Sequence, residues 1–64
     1  MQPHQQRVVD EVNELSDKHD KLIAFIESSQ IFQGLQSQEQ TLLRAQVGAM
    51  RAYLEILNLR IAAF

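Results

Sequence analysis

The stretch Ser28-Ser29-Gln30-Ile31-Phe32-Gln33-Gly34-Leu35-Gln36-Ser37 carries the only punctuation in the interior of the chain. Serine, glutamine and glycine surround an isolated apolar pair, which is the composition of a connection between two periodic segments. Back from it no helix breaker occurs until Pro3, and proline suits a first helical turn, where its missing N–H would be unbonded anyway. Between them Val8, Val12, Leu15, His19, Leu22 and Ile26 alternate four- and three-residue spacings. That is a heptad-like seam on a helix about 38 Å long. Forward from the stretch, Ser37-x-x-Gln40 reads as a capping box, Ser37 accepting from the third helical N–H and Gln40 reaching back. The helix it opens has its own seam at Leu43, Val47, Met50, Leu54, Leu57, Ile61 and Phe64. Gly48 lies inside it at a cost of about 1 kcal/mol relative to alanine. It marks either a close helix approach or a tolerated glycine.

The expected fold is all-α: an antiparallel two-helix hairpin in one domain over 1–64, with helices over about 3–28 and 38–63 and a turn over 29–37. Ile31 and Phe32 are expected to tuck over the hairpin at the turn, in a short loop or a half-turn of 3₁₀ helix. Both helices carry more apolar surface than one seam uses. The second has Leu42, Ala45, Ala49, Ala52, Ile56, Leu59 and Ala63 on another stripe, and the first has Val9, Ile23 and Phe25 beside its seam. A surplus stripe of this size marks an interface.

Size points the same way. A chain of 64 residues folding into a compact globule gains about 95 kcal/mol from apolar burial at ~25 cal/mol/Å². Ordering it costs about 1.5 kcal/mol per residue, again about 95 kcal/mol. A lone globule only breaks even, so outside support is needed. The chain has no cysteine for disulfides or thiolate sites, and His4 and His19 stand apart with no metal-ligand spacing. No metal or cofactor is expected, which leaves self-association into a helical oligomer.

The formal net charge of −2 disfavours generic binding to nucleic acid or an acidic membrane. No apolar run approaches a membrane span, and Met1-Gln2-Pro3-His4-Gln5-Gln6-Arg7 lacks a signal-peptide core, so a cytoplasmic protein is expected. An enzyme is not expected: there is no nucleophile beside a base, no glycine-rich phosphate loop and no metal-spaced carboxylate pair. Glu14–Lys18 and Asp17–Lys21 are acid-first i,i+4 pairs on a solvated face. His19, within the apolar seam, reads as a satisfied core group or as a ligand-contacting or pH-sensitive one. Arg60 interrupts the stripe of Tyr53 and Ile56 and must reach an acid, a carbonyl or a ligand anion. Arg7, Lys21, Arg44 and Arg51 are scattered, each alone reading as a surface charge, though symmetric copies could bring such cations together.

Specific stretches go further. Pro3-His4-Gln5-Gln6-Arg7-Val8 and Lys21-Leu22-x-Ala24-Phe25-Ile26 in the first half, and Met50-x-x-Tyr53 and Arg60-Ile61-Ala62-Ala63-Phe64 in the second, carry a resemblance over nearly the whole chain. The chain resembles the phage anti-CBASS cyclic-oligonucleotide sponges of the second anti-CBASS type, whose hairpin domain is shared with the Thoeris anti-defence sponge. The resemblance implies a hexamer of interlocked trimers in the host bacterial cytoplasm. It implies sequestration, without cleavage, of cyclic dinucleotides such as cyclic GMP–AMP, and of cyclic trinucleotides at a second site. Lys21 matches the family's conserved lysine, on a dinucleotide phosphate or base edge. Gln6 stands where a stacking aromatic is common, Ile23 where the second site has a threonine, and Arg60 matches that site's arginine. Val12 replaces a usual lysine and Asn58 a common glycine. The loss of the hydroxyl at Ile23 puts trinucleotide binding in question.

The chemistry is reasonable from the residues. A cyclic dinucleotide presents two phosphates and two flat bases, which call for cations, a stacking surface and amides. Lys21, Arg7, Gln5, Gln6 and His4 supply these. Lys21 lies about 21 Å along the helix from Arg7, so one chain cannot bring both to one small ligand, and a pocket between copies is required. Two other readings remain open. One is an adaptor that binds a partner helix through the surplus stripe. The other is an RNA regulator of the plasmid copy-number type, resembled only in architecture and disfavoured by a first helix more acidic than basic.

Overall fold

The computed structural model describes residues 1–64. Helix α1 spans Pro3–Ser28, a one-turn helix α2 spans Gln30–Gln33 and helix α3 spans Ser37–Ala62. α1 and α3 pack antiparallel into a hairpin of 45 × 15 × 13 Å.

The ends of the helices follow from local chemistry. At the start of α1, Pro3 takes the first helical position and the Gln2 backbone N–H donates to Gln5 Oε1 at 2.8 Å. Ser29 then both stops α1 and starts α2. Its backbone is extended, and its hydroxyl accepts from the Ile31 N–H at 3.1 Å. The connection is therefore a turn of α-helix rather than a loop or a half-turn of 3₁₀ helix. It leaves Phe32 3% exposed but Ile31 71% exposed, so only one of the apolar pair tucks in. Phe32 meets Phe25 edge-to-face, with ring centroids 5.9 Å apart, and the Arg44 guanidinium lies 5.1 Å above its ring.

The expected capping box at Ser37 does not form. Ser37 is the first helical residue, and Gln36 holds the cap position with no side-chain bond. The Gln40 amide instead turns back over the connection, Nε2 donating to the carbonyls of Phe32 at 2.9 Å, Leu35 at 3.2 Å and Gln33 at 3.3 Å. The reason lies in the short α2. Its end leaves carbonyls without helical partners, and an amide with two N–H groups answers that demand where a serine oxygen cannot.

Packing follows the two seams. Val8, Phe32 and Leu57 are buried, and Val12, Leu15, His19, Leu22 and Ile26 of α1 and Leu43, Val47, Met50, Leu54 and Ile61 of α3 are half-buried where the two helices pack. Phe64, expected at the end of the α3 seam, lies beyond the helix and is 49% exposed. A Cβ added at Gly48 would meet nothing within 4 Å, so this glycine marks no close approach within the hairpin.

The second stripe of α3 has no partner within the chain. Leu42, Ala45, Ala49, Ala52, Ile56 and Leu59 are all exposed, Leu42 at 59% and Leu59 at 70%. The accessible surface is 4847 Å², against about 4,200 Å² for a compact globule of this size. With just over half of the excess apolar, the lone hairpin forgoes about 9 kcal/mol at ~25 cal/mol/Å². That is comparable with the whole net stability of a small domain, about 5–15 kcal/mol.

Candidate functional site

Two clefts run along the seam between α1 and α3, one near the turn and one nearer the open end. The turn-side cleft holds about 220 Å³ and is lined by Ile23, Ile26 and Glu27 of α1 and Arg44, Val47 and Arg51 of α3. Arg44 and Arg51 are seven residues apart, two turns of one helix face. Ile23, Ile26 and Val47 make an apolar floor between them. Neither arginine nor Glu27 has an ion-pair partner, the two ion pairs of the chain being His19–Asp20 and Asp17–Lys21. Arg44 is held at one end of the cleft by its position over Phe32.

The second cleft holds about 210 Å³ and is lined by Glu11, Glu14, Leu15, Lys18 and Tyr53. Its acids dominate. The Tyr53 hydroxyl donates to Glu11 Oε2 across the hairpin. That hydrogen bond holds the phenol above the ordinary tyrosine range, with desolvation and the Glu11 charge adding to it, while the Arg60 charge pulls the other way. Glu14 and Lys18 do not pair, in contrast to the i,i+4 expectation, whereas Lys21 Nζ sits 2.9 Å from Asp17 Oδ2.

The residues expected to bind a ligand fall into two groups within one chain. His4, Gln5, Gln6 and Arg7 occupy the first turns of α1. Gln5 Oε1 is engaged by the Gln2 N–H, and Gln6 Nε2 donates to Asp10 Oδ1 at 2.9 Å. His4 and Arg7 are exposed and make no ion pair. Lys21, at the other end of α1, is exposed and held by Asp17. Fourteen residues is close to four whole turns, so Arg7 and Lys21 project to the same side of α1 about 21 Å apart. The acid-lined cleft lies between their levels, so this face of a single chain is no anion pocket. Ile23 and Arg60 are also separated. Ile23 lines the turn-side cleft level with Val47, and Arg60 lies thirteen residues beyond Val47, about 20 Å along α3.

His19 is half satisfied. Its side chain is 12% exposed, Nδ1 lies 3.2 Å from Asp20 Oδ1, and Nε2 is shielded from solvent without a partner. Two features escaped the sequence reading. The Glu11–Tyr53 bond joins residues forty-two apart, and no local pattern announces it. The cleft formed by Arg44 and Arg51 did leave a signal: an i,i+7 arginine pair flanking Val47, opposite the apolar positions beside the α1 seam.

Fold and clefts together describe a small helical hairpin with unpaired cations facing open grooves, and no helix of it is long and apolar enough to cross a membrane. Over residues 2–63 the chain matches the family described as Sequestin, and it belongs to that family. The name denotes a sequestering protein. No curated protein and no solved structure matches the chain.

Proposed function

We propose that the protein is a phage anti-defence sponge. It binds cyclic dinucleotide messengers of CBASS, such as cyclic GMP–AMP, in the host bacterial cytoplasm and withholds them without cleavage. The observation that carries the reading is membership of the Sequestin family over nearly the whole chain, joined to the resemblance of the Pro3–Val8, Lys21–Ile26 and Arg60–Phe64 segments to anti-CBASS sponges. Lys21 and Arg7 bind phosphate, and His4, Gln5 and Gln6 meet base edges. Their 21 Å separation requires that different copies supply them to one pocket, and the uncovered α3 stripe supports an assembly, a hexamer by the same resemblance. Arg60 and Ile23 belong to a second site for cyclic trinucleotides, also shared between copies, where isoleucine cannot supply a hydroxyl. The reading is of a binding protein and not an enzyme.

The test is calorimetric titration with cyclic GMP–AMP beside sedimentation of the same sample. The expected result is stoichiometric binding by an oligomer and recovery of the intact ligand on denaturation. Lys21→Ala should weaken binding with the helical circular dichroism unchanged. Absence of binding across cyclic di- and trinucleotides would overturn the reading. The exposed α3 stripe also favours a second one, an adaptor that docks a partner helix there. A monomer or dimer that binds no nucleotide and gains a protein partner would favour it.

A further inference from the structure

The turn-side cleft brings together an apolar floor, two guanidiniums and a carboxylate, with no ion pair among the charges. Glu27 and the two arginines share a groove of about 220 Å³ yet make no contact as ion pairs, so space for a ligand's polar edge remains between them. The charges are also arranged in order along the groove. α1 and α3 run antiparallel, so Glu27, nearest the end of α1, lies at the same end as Arg44, nearest the start of α3. Arg51 lies two turns further along, about 10.5 Å by helical rise. Arg44 is not a free surface arginine, because its stack over Phe32, itself braced by Phe25, fixes where its guanidinium stands.

We propose that this cleft binds a guanine nucleotide unit. Its phosphate meets Arg51, and its base lies on the floor of Ile23, Ile26 and Val47. At the turn end Glu27 accepts from the N1–H and N2–H groups of the base while Arg44 donates to O6 and N7. The assignment follows from the chemistry of the edges. A carboxylate is acceptor-only and calls for a ligand edge made of donors. Guanine has two adjacent donors on one edge and the O6/N7 acceptor pair, which suits a guanidinium fork, on the next. Adenine has a single exocyclic amino donor and no O6 acceptor, so it satisfies neither partner fully. A carboxylate beside the base edge also repels a bare anion, so inorganic phosphate alone is a poor ligand for that end. The site deepens the proposed nucleotide sequestration by naming a base and a cleft within one chain; it uses none of the residues Lys21, Arg7 or Gln6, and it shares Ile23 with the proposed second site.

The experiment is a methyl-resonance and calorimetric titration of the full chain with GMP, AMP and inorganic phosphate as separate probes. GMP should shift the methyl signals of Ile23, Ile26 and Val47 and bind at least tenfold more tightly than AMP. Glu27→Gln should bring GMP down to the AMP level, and Arg51→Ala should weaken both nucleotides about tenfold. Both residues are exposed, so neither change threatens the fold, and Arg44→Lys serves as the third variant with circular dichroism as its control. Equal binding of GMP and AMP, binding no better than inorganic phosphate, or an unaltered titration for Arg51→Ala would overturn the proposal. A parallel titration with cyclic GMP–AMP separates the two readings. Cyclic GMP–AMP binding that is lost in Lys21→Ala and kept in Arg51→Ala, with no GMP response at Ile23, Ile26 and Val47, rejects this cleft and leaves sequestration standing. GMP in the cleft with no cyclic dinucleotide bound anywhere keeps the cleft and rejects the CBASS messenger.

Discussion

At the turn end of the hairpin, Phe32 is buried between Phe25 and Arg44, and one glutamine amide holds three carbonyls of the connection. At the open end, Val8 and Leu57 are buried in the seam, and the one polar link further along it is the Tyr53–Glu11 hydrogen bond. The turn end is built from partners eight or fewer residues apart, apart from the reach of Arg44. The open end depends on residues more than forty apart. Local partners need little loop closure, whereas distant ones form only after the intervening chain has been ordered. The turn end is therefore the part of the hairpin that stands without the rest, and substitutions at the two ends should be read against that difference.

The largest effect is expected from Phe32→Ala. It empties the middle of the Phe25–Phe32–Arg44 stack and should cost about 3–5 kcal/mol in urea unfolding, enough to unfold a lone hairpin of this size. Leu57→Ala, at the fully buried position of the open end, should cost about 2–5 kcal/mol. Hydrogen exchange should then distinguish the two variants. Loss of Leu57 should leave amides near the turn more protected than those at the open end, while loss of Phe32 should release both. Equal protection at both ends of the Leu57 variant would mean that the turn has no stability of its own.

The next contrast lies within the turn. Gln40→Ala removes the donor for the Phe32, Gln33 and Leu35 carbonyls and should cost about 1–2 kcal/mol, since part of the lost bonding is recovered from water. Ser37→Ala removes no cap hydrogen bond and should stay within about 0.5 kcal/mol of the parent. The reverse ranking would restore the capping box. Gly48→Ala should stabilise by about 0.5–1 kcal/mol, because the added methyl meets open space and the helix gains a better former. If another copy packs closely against that face, the same change should instead lower the oligomer's sedimentation coefficient.

These substitutions also separate what apolar periodicity reveals from what only tertiary packing decides. The two seams predicted the inward faces of α1 and α3, because apolar periodicity and burial are one property seen twice. Pro3 and the Ser28–Ser29 pair located the limits of α1 to within a residue. The Ser-x-x-Gln pattern at Ser37–Gln40 is common to a capping box and to a glutamine bonded to a preceding turn, and only the demand created by α2 decides between them. The 21 Å between Arg7 and Lys21 follows from helical rise alone, whereas the cleft that Glu11 and Glu14 form with Tyr53 between their levels depends on the second helix. The cleft of Arg44 and Arg51 needed Ile23, Ile26 and Glu27 from the other helix, so it depended on the register of the hairpin. Register is a tertiary quantity, and two seams of heptad spacing permit more than one.

The smallest expected effect tests that register directly. Tyr53 can donate to Glu11 only if the helices are aligned as described, and Tyr53→Phe removes the hydroxyl while keeping the ring. Tyr53 is 42% exposed, so the solvent-screened link contributes less than any buried contact above. Its pH dependence is nevertheless distinctive. The folded state holds the Tyr53 proton more tightly than the unfolded chain does, chiefly through the bond to Glu11. Its contribution is therefore complete below the unfolded tyrosine value of about 10 and is lost as pH rises through the higher folded value. The parent should be more stable than Tyr53→Phe at neutral pH, and the two urea midpoints should converge above about pH 10. A difference that stays constant through that range would place the hydroxyl away from Glu11 and shift the helices out of the register that forms both clefts.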